Sequence, residues 1–367
     1  MTKNNLDTLK EDAVSLLKEL IATPSFSKEE GETAEIISRF FEMRGLTTNR
    51  IGNNIFSFNK NFDPAKPAIL LNSHHDTVKP NAEYTRDPFL PDIENGKLYG
   101  LGSNDAGGAL VSLVAAFVHF YQKENLRYNL AFAATAEEEI SGNNGIEALL
   151  NDESFNHVFT GKGRIDCAIV GEPTKIQMAV AERGLMVLDC IAHGKAGHAA
   201  REEGENAIYK AMMDIEWFYT YQFPKVSELL GPVKMSVTVI ETKNKAHNVV
   251  PSQCQFIVDV RVNELYTFEE VFDIIRSNVQ SELKARSTRM RSSSIELNHP
   301  LVKAGSALGR SYYGSPTTSD KALMPFPALK MGPGDSARSH IADEFIYIDE
   351  IKEGIEVYIA LLEKLLL

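Results

Sequence analysis

Five stretches of the chain carry residues able to hold cations or move protons. They are His74-His75-Asp76 in "SHHDTV", Asp105 in "GLGSNDAGG", Glu137-Glu138-Glu139 in "AEEEISG", Glu172 in "VGEPT" and His340 in "GPGDSARSHIADE". Histidines and carboxylates without cysteine offer nitrogen and oxygen donors, a set that suits divalent cations of the zinc type. Two histidines and three carboxylates can hold two such ions if one carboxylate bridges, and three protein ligands per ion leave a position for water. In Glu138-Glu139 one acid can ligate while its neighbour, facing elsewhere, acts as general base on that water. Asp76, two residues after His74, can accept the second imidazole N–H and fix the ring. His74 is therefore the ligand candidate, and His75 serves spacing or packing. Any one acid has a plainer role open to it: the chain has 50 Asp and Glu, most of which belong in solvent or at helix starts, and Asp105 could simply cap a helix opening at Ala106. Convergence changes the reading, because crowded carboxylates repel unless cations neutralise them.

The elements that would bring these residues together read as short apolar runs. "AILLNS", "NLAFAAT" and "CAIVGE" are strands, each followed by polar, Gly-rich loop chemistry and alternating with helical patterns, and "ALKMGPG" is a further strand late in the chain. This alternation predicts an α/β fold built on a doubly wound, mostly parallel sheet, whose carboxyl edge is where ligands bind. "GGALVSLVAAFVHF" is a core helix, too short to span a bilayer. The first 25 residues form an amphipathic helix rather than a signal peptide, and "IDEIKEGIEVYIALLEKLL" is a closing amphipathic helix. Between 179 and 297 the texture changes to "RGLMVLDCIAHG" as strand, "ENAIYKAMMDIEWFYTYQ" as helix, "VKMSVTVIET" and "QCQFIVDVRV" as strands, "TFEEVFDIIRSNVQSEL" as helix and "SSSIEL" as strand. That order predicts an inserted α+β domain of four strands and two helices. Residues 1–178 and 298–367 then form the catalytic, metal-binding domain, and 179–297 the insert.

Bulk properties narrow the function classes. The chain has 367 residues, a formal net charge of -12 and a pI near 5.3, which argue against a general nucleic-acid binder. Cys167, Cys190 and Cys254 lie far apart in apolar runs and read as buried free thiols of a reducing compartment. The expectation is a cytoplasmic protein with neither nucleic-acid nor membrane partners.

In order and wording, the five motifs resemble the cocatalytic zinc aminoacylase and carboxypeptidase family that includes acetylornithine deacetylase, succinyl-diaminopimelate desuccinylase and the glutamate-releasing carboxypeptidases. The resemblance covers nearly the whole chain. It implies a zinc-peptidase-type fold whose inserted domain serves as a dimerisation domain and lid. It further implies that His74 and Glu172 hold one ion and Glu139 and His340 the other, with Asp105 bridging and Glu138 as general base. The ions would be zinc, with cobalt or manganese as alternatives. "GKAGHAA" is similar to the family's Gly-His-x-Ala pattern, which implies that His198 stabilises an oxyanion in a partner subunit's site and that the chain is a homodimer through 179–297. Asn248 in "NVVP", Arg261 in "DVRV" and Arg183 in "AERGLM" match positions that contact substrate polar groups or carboxylates.

The sequence departs from the family pattern at two places. The Gly-rich loop reads Gly100-Leu101-Gly102 where the family has Gly-Arg-Gly, and Asp105-Ala106-Gly107 where it has Asp-x-Lys. Glu182 stands where the diaminopimelate desuccinylases carry a basic residue, so an acid there should disfavour a second substrate carboxylate. On that basis the resemblance implies hydrolysis of an N-acyl amino acid, N-acetyl- or N-succinyl-ornithine or -citrulline in arginine biosynthesis. A di- or tripeptidase or a succinyl-diaminopimelate desuccinylase is the alternative. A non-catalytic zinc-binding association protein is a remote third, disfavoured because Glu138 and every ligand are present.

Overall fold

The computed structural model describes residues 3–367. It divides into two compact units: residues up to 180 with 295–313 and 319–367, and residues 181–294 with 314–318.

The first unit is organised by a mixed sheet. Its four central strands, in spatial order Asn129–Thr135, Ala68–His74, Ile165–Val170 and Ala328–Lys330, are parallel to one another. On one side Asn54–Phe58 and Asn49–Ile51 continue the sheet antiparallel; on the other, Met178–Glu182 does so. Every residue of Ala68–His74 and Asn129–Thr135 is buried, because both faces of a parallel sheet are covered and neither can afford an alternating polar face. One face packs Leu70, Ala131, Ala133 and Val170 against Ile146, Leu149 and Phe155. The other meets the apolar helix Gly108–Phe120, where Phe41, Phe117 and Phe132 meet at centroid separations of 5.2 to 5.9 Å. The amphipathic helices Lys3–Ile21 and Ile348–Leu366 pack beside that helix. The first ends at Ile21, short of the expected residue 25, and the expected helical residues 1 and 2 lie outside the described residues. Among the described residues no helix is long and apolar enough to cross a membrane. Cys167, Cys190 and Cys254 are buried free thiols, and burial pushes the first two up to about 12.

The second unit has a four-stranded antiparallel sheet in the order Lys234–Glu241, Gln253–Val262, Gly184–His193, Glu282–Ala285. Alternate residues of its two long central strands are buried, and they meet Ala207, Ala211 and Phe218 of one helix and Phe268, Val271 and Ile275 of another. The fourth strand corrects the sequence reading. The helix expected to run through Leu283 stops at Asn278, and the expected strand 292–297 is reduced to Ser293–Ser294, which pairs with Ala181 and Glu182. The cause is Asp214, whose buried carboxylate accepts from Gln280 N at 3.0 Å and from Ser281 N and Oγ at 2.8 and 2.6 Å. These bonds hold an extended turn after Val279 and deliver Glu282–Ala285 to the sheet edge. A separate ribbon pairs Gly197–His198 with Val249–Val250.

Candidate active site

The candidate ligands of the first unit sit where its parallel strands end. His74 closes the strand Ala68–His74, Glu138 and Glu139 follow Asn129–Thr135, and Glu172 comes two residues after Val170. Asp105 lies in an irregular turn, Ser103–Gly107, whose Asp105 and Ala106 have non-helical dihedrals and which is preceded by Gly102 at a φ of 74° that favours glycine. It therefore does not cap the helix that starts at Gly108, which has no side-chain cap.

Two overlapping groups of potential cation donors result, each with its atoms within 4.8 Å of one another: His74, Asp105 and Glu139, and His74, Glu138 and Glu172. His74 Nε2 lies 3.3 Å from Asp105 Oδ1 and 3.9 Å from Glu172 Oε1. On the far side of Asp105, Oδ2 is 3.8 Å from His340 Nε2, which is itself 3.0 Å from Glu139 Oε2. The two oxygens of Asp105 thus face different histidines, the disposition a bridging carboxylate requires. Glu138 falls in the group with His74 and Glu172, so proximity alone does not separate a ligand from a base.

Asp76 differs in part from its expected role. The His74 Nδ1–H donates to the Asp76 carbonyl oxygen at 3.0 Å, with the Asp76 carboxylate at 3.4 Å. That carboxylate instead accepts from Glu138 N at 3.0 Å, Glu139 N at 3.1 Å and Ser27 Oγ at 2.7 Å. One residue therefore orients the imidazole through its backbone and the acidic pair through its side chain, and turns His74 Nε2 toward Asp105, 3.3 Å away. His75 is structural, its ring held between Thr33 Oγ1 at 2.9 Å and the Asn53 carbonyl at 3.0 Å. Glu137 bonds the Asn144 side chain at 2.8 Å and takes no place in the cluster.

The electrostatics are those of acids and histidines crowded together out of solvent. Burial raises Glu138 well above the usual carboxylate range and Glu172 to about 8, and it also raises Glu139, against the opposing hydrogen bond from His340. Burial also disfavours a charged His74, but its bonds to Asp105 and Asp76 outweigh that and hold it well above its ordinary value. Asp105 is lowered to about 2, burial being overcome by His74. His340 is raised to about 9, chiefly by Glu139. Carboxylates raised by burial and histidines raised by neighbouring acids both relax when divalent cations take the place of protons, and the types and spacing of the donors fit two such ions.

Three contributors were not legible in the sequence. Glu344 is buried and accepts from the backbone of the Asp105 turn. Asp320 accepts from Asn72 Nδ2 at 3.2 Å and Thr135 Oγ1 at 2.7 Å beneath the cluster. Lys330, only 4% exposed, favours the charged form of Glu172. The one available signal was a lysine inside the apolar run "ALKMG", since lysine is almost never buried without a partner.

The remaining candidates belong to the second unit. His198 and Asn248 are brought together: His198 pairs with Val249, and Ala199 N donates to the Asn248 carbonyl at 2.9 Å. Both side chains are exposed. Arg261 forms a two-pronged bond to Asp259 at 2.8 and 3.0 Å. Arg183 Nε donates to the Leu230 carbonyl at 3.0 Å, and burial and the neighbouring Arg261 lower its pKa. Glu182 is fully buried, with Ser293 Oγ 3.3 Å from its carboxylate. Its carboxylate does not face solvent, so its position offers no direct contact to a second substrate carboxylate.

Comparison with known proteins adds a second line of observation. The profile of peptidase family M20/M25/M40 matches residues 70–364. Succinyl-diaminopimelate desuccinylase 2 of Ruegeria sp. (strain TM1040) is 26% identical over 282 residues, 74% of this chain and 70% of that one. Among solved structures, an M20 family metallo-carboxypeptidase from Sulfolobus solfataricus superposes with a TM-score of 0.75 at 20% identity, covering 96% of this chain and 98% of that one. A dinuclear metal-binding peptidase of the M20 family from Bacillus subtilis gives a TM-score of 0.73 at 15% identity, covering 98% of both chains. At these identities the structural matches establish a shared fold.

Proposed function

Because the chain belongs to peptidase family M20/M25/M40, we propose that it is a metal-dependent hydrolase that cleaves the amide bond of an N-acylated amino acid, with N-succinyl-diaminopimelate as the best-supported substrate. The observation that carries the reaction class is the placement of Asp105 between His74 and His340 with Glu138 alongside. The substrate choice is supported by the desuccinylase relative and by the burial of Glu182, which together displace ornithine and citrulline conjugates from first place.

In this reading His74, Glu172, Glu139, His340 and Asp105 hold two divalent cations, which when bound polarise the amide carbonyl and acidify the attacking water. Glu138 accepts the proton as the water oxygen bonds to the carbonyl carbon. As the C–N bond breaks, the same carboxyl gives that proton to the departing amine, releasing a carboxylate and a free amino group. Asp76 keeps Glu138 in place through the Glu138 N–H and so orients the base without touching substrate. His198 is assigned to the developing oxyanion in a partner subunit's site, and Asn248, Arg183 and Arg261 to polar groups of the substrate. Arg261 would exchange its Asp259 partner for a substrate carboxylate.

The test is a matched set of initial rates on zinc-loaded protein with N-succinyl and N-acetyl forms of diaminopimelate, ornithine and citrulline beside free dipeptides, with and without chelator. Chelator-sensitive release of diaminopimelate is expected, and Glu138→Gln should lower kcat by roughly 10²-fold or more with zinc content unchanged. Preferential cleavage of dipeptides would overturn the substrate class, and loss of zinc from Glu138→Gln would overturn the division of roles within the acidic pair.

A further inference from the structure

The turn that carries Asp105 and the loop that carries His340 are remote in sequence but bonded to each other at several points. Glu344, 2% exposed, directs its carboxylate into the Asp105 turn: Oε2 accepts from Gly102 N at 3.0 Å, and Oε1 from Asn104 N at 2.8 Å and Asp105 N at 2.9 Å. The turn answers through the Asn104 side chain, whose Oδ1 accepts from Asp335 N at 2.9 Å and whose Nδ2 donates to the Asp335 carbonyl at 3.1 Å. Asp343 faces the opposite way and accepts from Thr85 N and Arg86 N at 2.9 Å each, and from Thr85 Oγ1. Asn81 Nδ2 donates to the carbonyl of His340 itself at 3.3 Å.

Two consecutive acids thus clamp the His340 loop, one to the Asp105 turn and one to the 81–86 loop. His340 and Asp343 adopt φ values of 61° and 53°, in the left-handed region that non-glycine residues rarely occupy without surrounding constraint. A buried carboxylate that takes three backbone N–H bonds fixes that backbone closely, since leaving those donors unmatched is costly. A bridging carboxylate needs such fixing, because a shift of about 0.5 Å is enough to spoil a first shell of ligands.

The geometry points to Glu344 and Asp343 as positioning residues that lock the Asp105 turn and the His340 loop into one frame, so that two cations are held at a fixed separation. This rests on the two-cation reading above. Neither residue is assigned as a ligand. Glu344 acts through the backbone of the residue that bridges, and Asp343 through the loop that presents His340.

The experiment is a titration of chelator-stripped protein with Co2+, following stoichiometry, affinity and the visible absorption band, alongside kcat and KM of the reloaded enzyme. Glu344→Gln puts an NH2 against backbone donors and should weaken at least one of two cobalt equivalents by 10-fold or more and shift the band. It should also lower kcat while KM stays within 2-fold. Asp343→Gly removes the second clamp at a half-buried position where glycine accepts the backbone conformation, and it should weaken one equivalent. Asp343→Asn keeps an oxygen for Thr85 N and Arg86 N, tolerates positive φ, and should restore wild-type behaviour. Unchanged cobalt affinity and spectrum in both Glu344→Gln and Asp343→Gly would overturn the proposal even if thermal stability fell. Fewer than two cobalt equivalents in the wild type would overturn the two-cation reading itself, and the positioning role with it.

Discussion

At the scale of single residues the site is defined by where its protons sit. A glutamate in an unfolded chain titrates near 4.3 and a histidine near 6.5, whereas in the folded protein Glu172 is raised to about 8 by burial, Glu138 is raised well above the usual carboxylate range by the same cause, and His340 is raised to about 9 by Glu139. Between those limits the folded state binds more protons than the unfolded one, so the slope of stability against pH is negative. The contribution is fully present below the unfolded values and is lost as pH rises through the folded ones. Asp105, lowered to about 2, has the opposite sign but acts only below about pH 4. The cation-free protein should therefore lose roughly 5 °C or more of its thermal midpoint between pH 6 and pH 9, and zinc loading should flatten that dependence because cations take the place of protons. Thermal melts of both forms across this range decide it: a flat or rising profile for the cation-free form would be incompatible with the assigned charges. His74, Glu138, Glu172 and His340 were legible, since histidines and acids directly after apolar strands announce themselves by type and spacing, but Glu344, raised to about 8 by burial, titrates in the same window. Glu344 was not legible, because its partners are backbone amides contributed by a distant turn, and a sequence shows no backbone amide as special. Glu182 was misread for a related reason: its type was visible and its burial was not.

At the scale of elements, the parallel strands were legible because continuous apolar runs bounded by glycine-rich loops have few other solutions in a chain of this length. The second unit was legible in its order and not in its last strand. "NVQSEL" continues an amphipathic helical pattern closely enough to extend the helix, and the true stop is a tertiary contact: Asp214, on the helix Ala207–Thr220, captures Gln280 and Ser281. That contact yields a prediction at this scale. Asp214→Ala leaves two buried backbone donors and the Ser281 hydroxyl without their acceptor, at a cost of about 1–3 kcal/mol. Hydrogen exchange should show the Glu282–Ala285 strand losing protection well before the Gly184–His193 strand it borders. Uniform loss of protection over the whole sheet, or none, would show that Asp214 is not what terminates the helix.

At the scale of the whole molecule, the second unit presents more apolar surface than its own core can use. Helix Ala207–Thr220 leaves Tyr209, Met212, Met213 and Tyr219 between 56% and 84% exposed. The strand Lys234–Glu241 is an edge of the sheet, with Val239 and Ile240 42% and 53% exposed. An unpaired edge strand carrying apolar side chains is a template for pairing with another chain, and evolution normally blunts such edges with charge or proline. Here helix and edge strand belong to one unit and pack on each other, so a two-fold axis beside them would bury both features in a self-complementary contact. The expected state is a homodimer through this unit. Placing like charges in the apolar surface at two points, Met213→Glu with Ile240→Glu, should weaken self-association by roughly 30-fold or more, as removal of contacts worth about 2 kcal/mol implies. The far-ultraviolet dichroism should be unchanged, because both side chains already face solvent within the chain. Sedimentation velocity across a concentration series distinguishes the outcomes: a wild-type protein that stays monomeric at micromolar concentration, or a double variant that stays dimeric, would show that this apolar surface is not the interface.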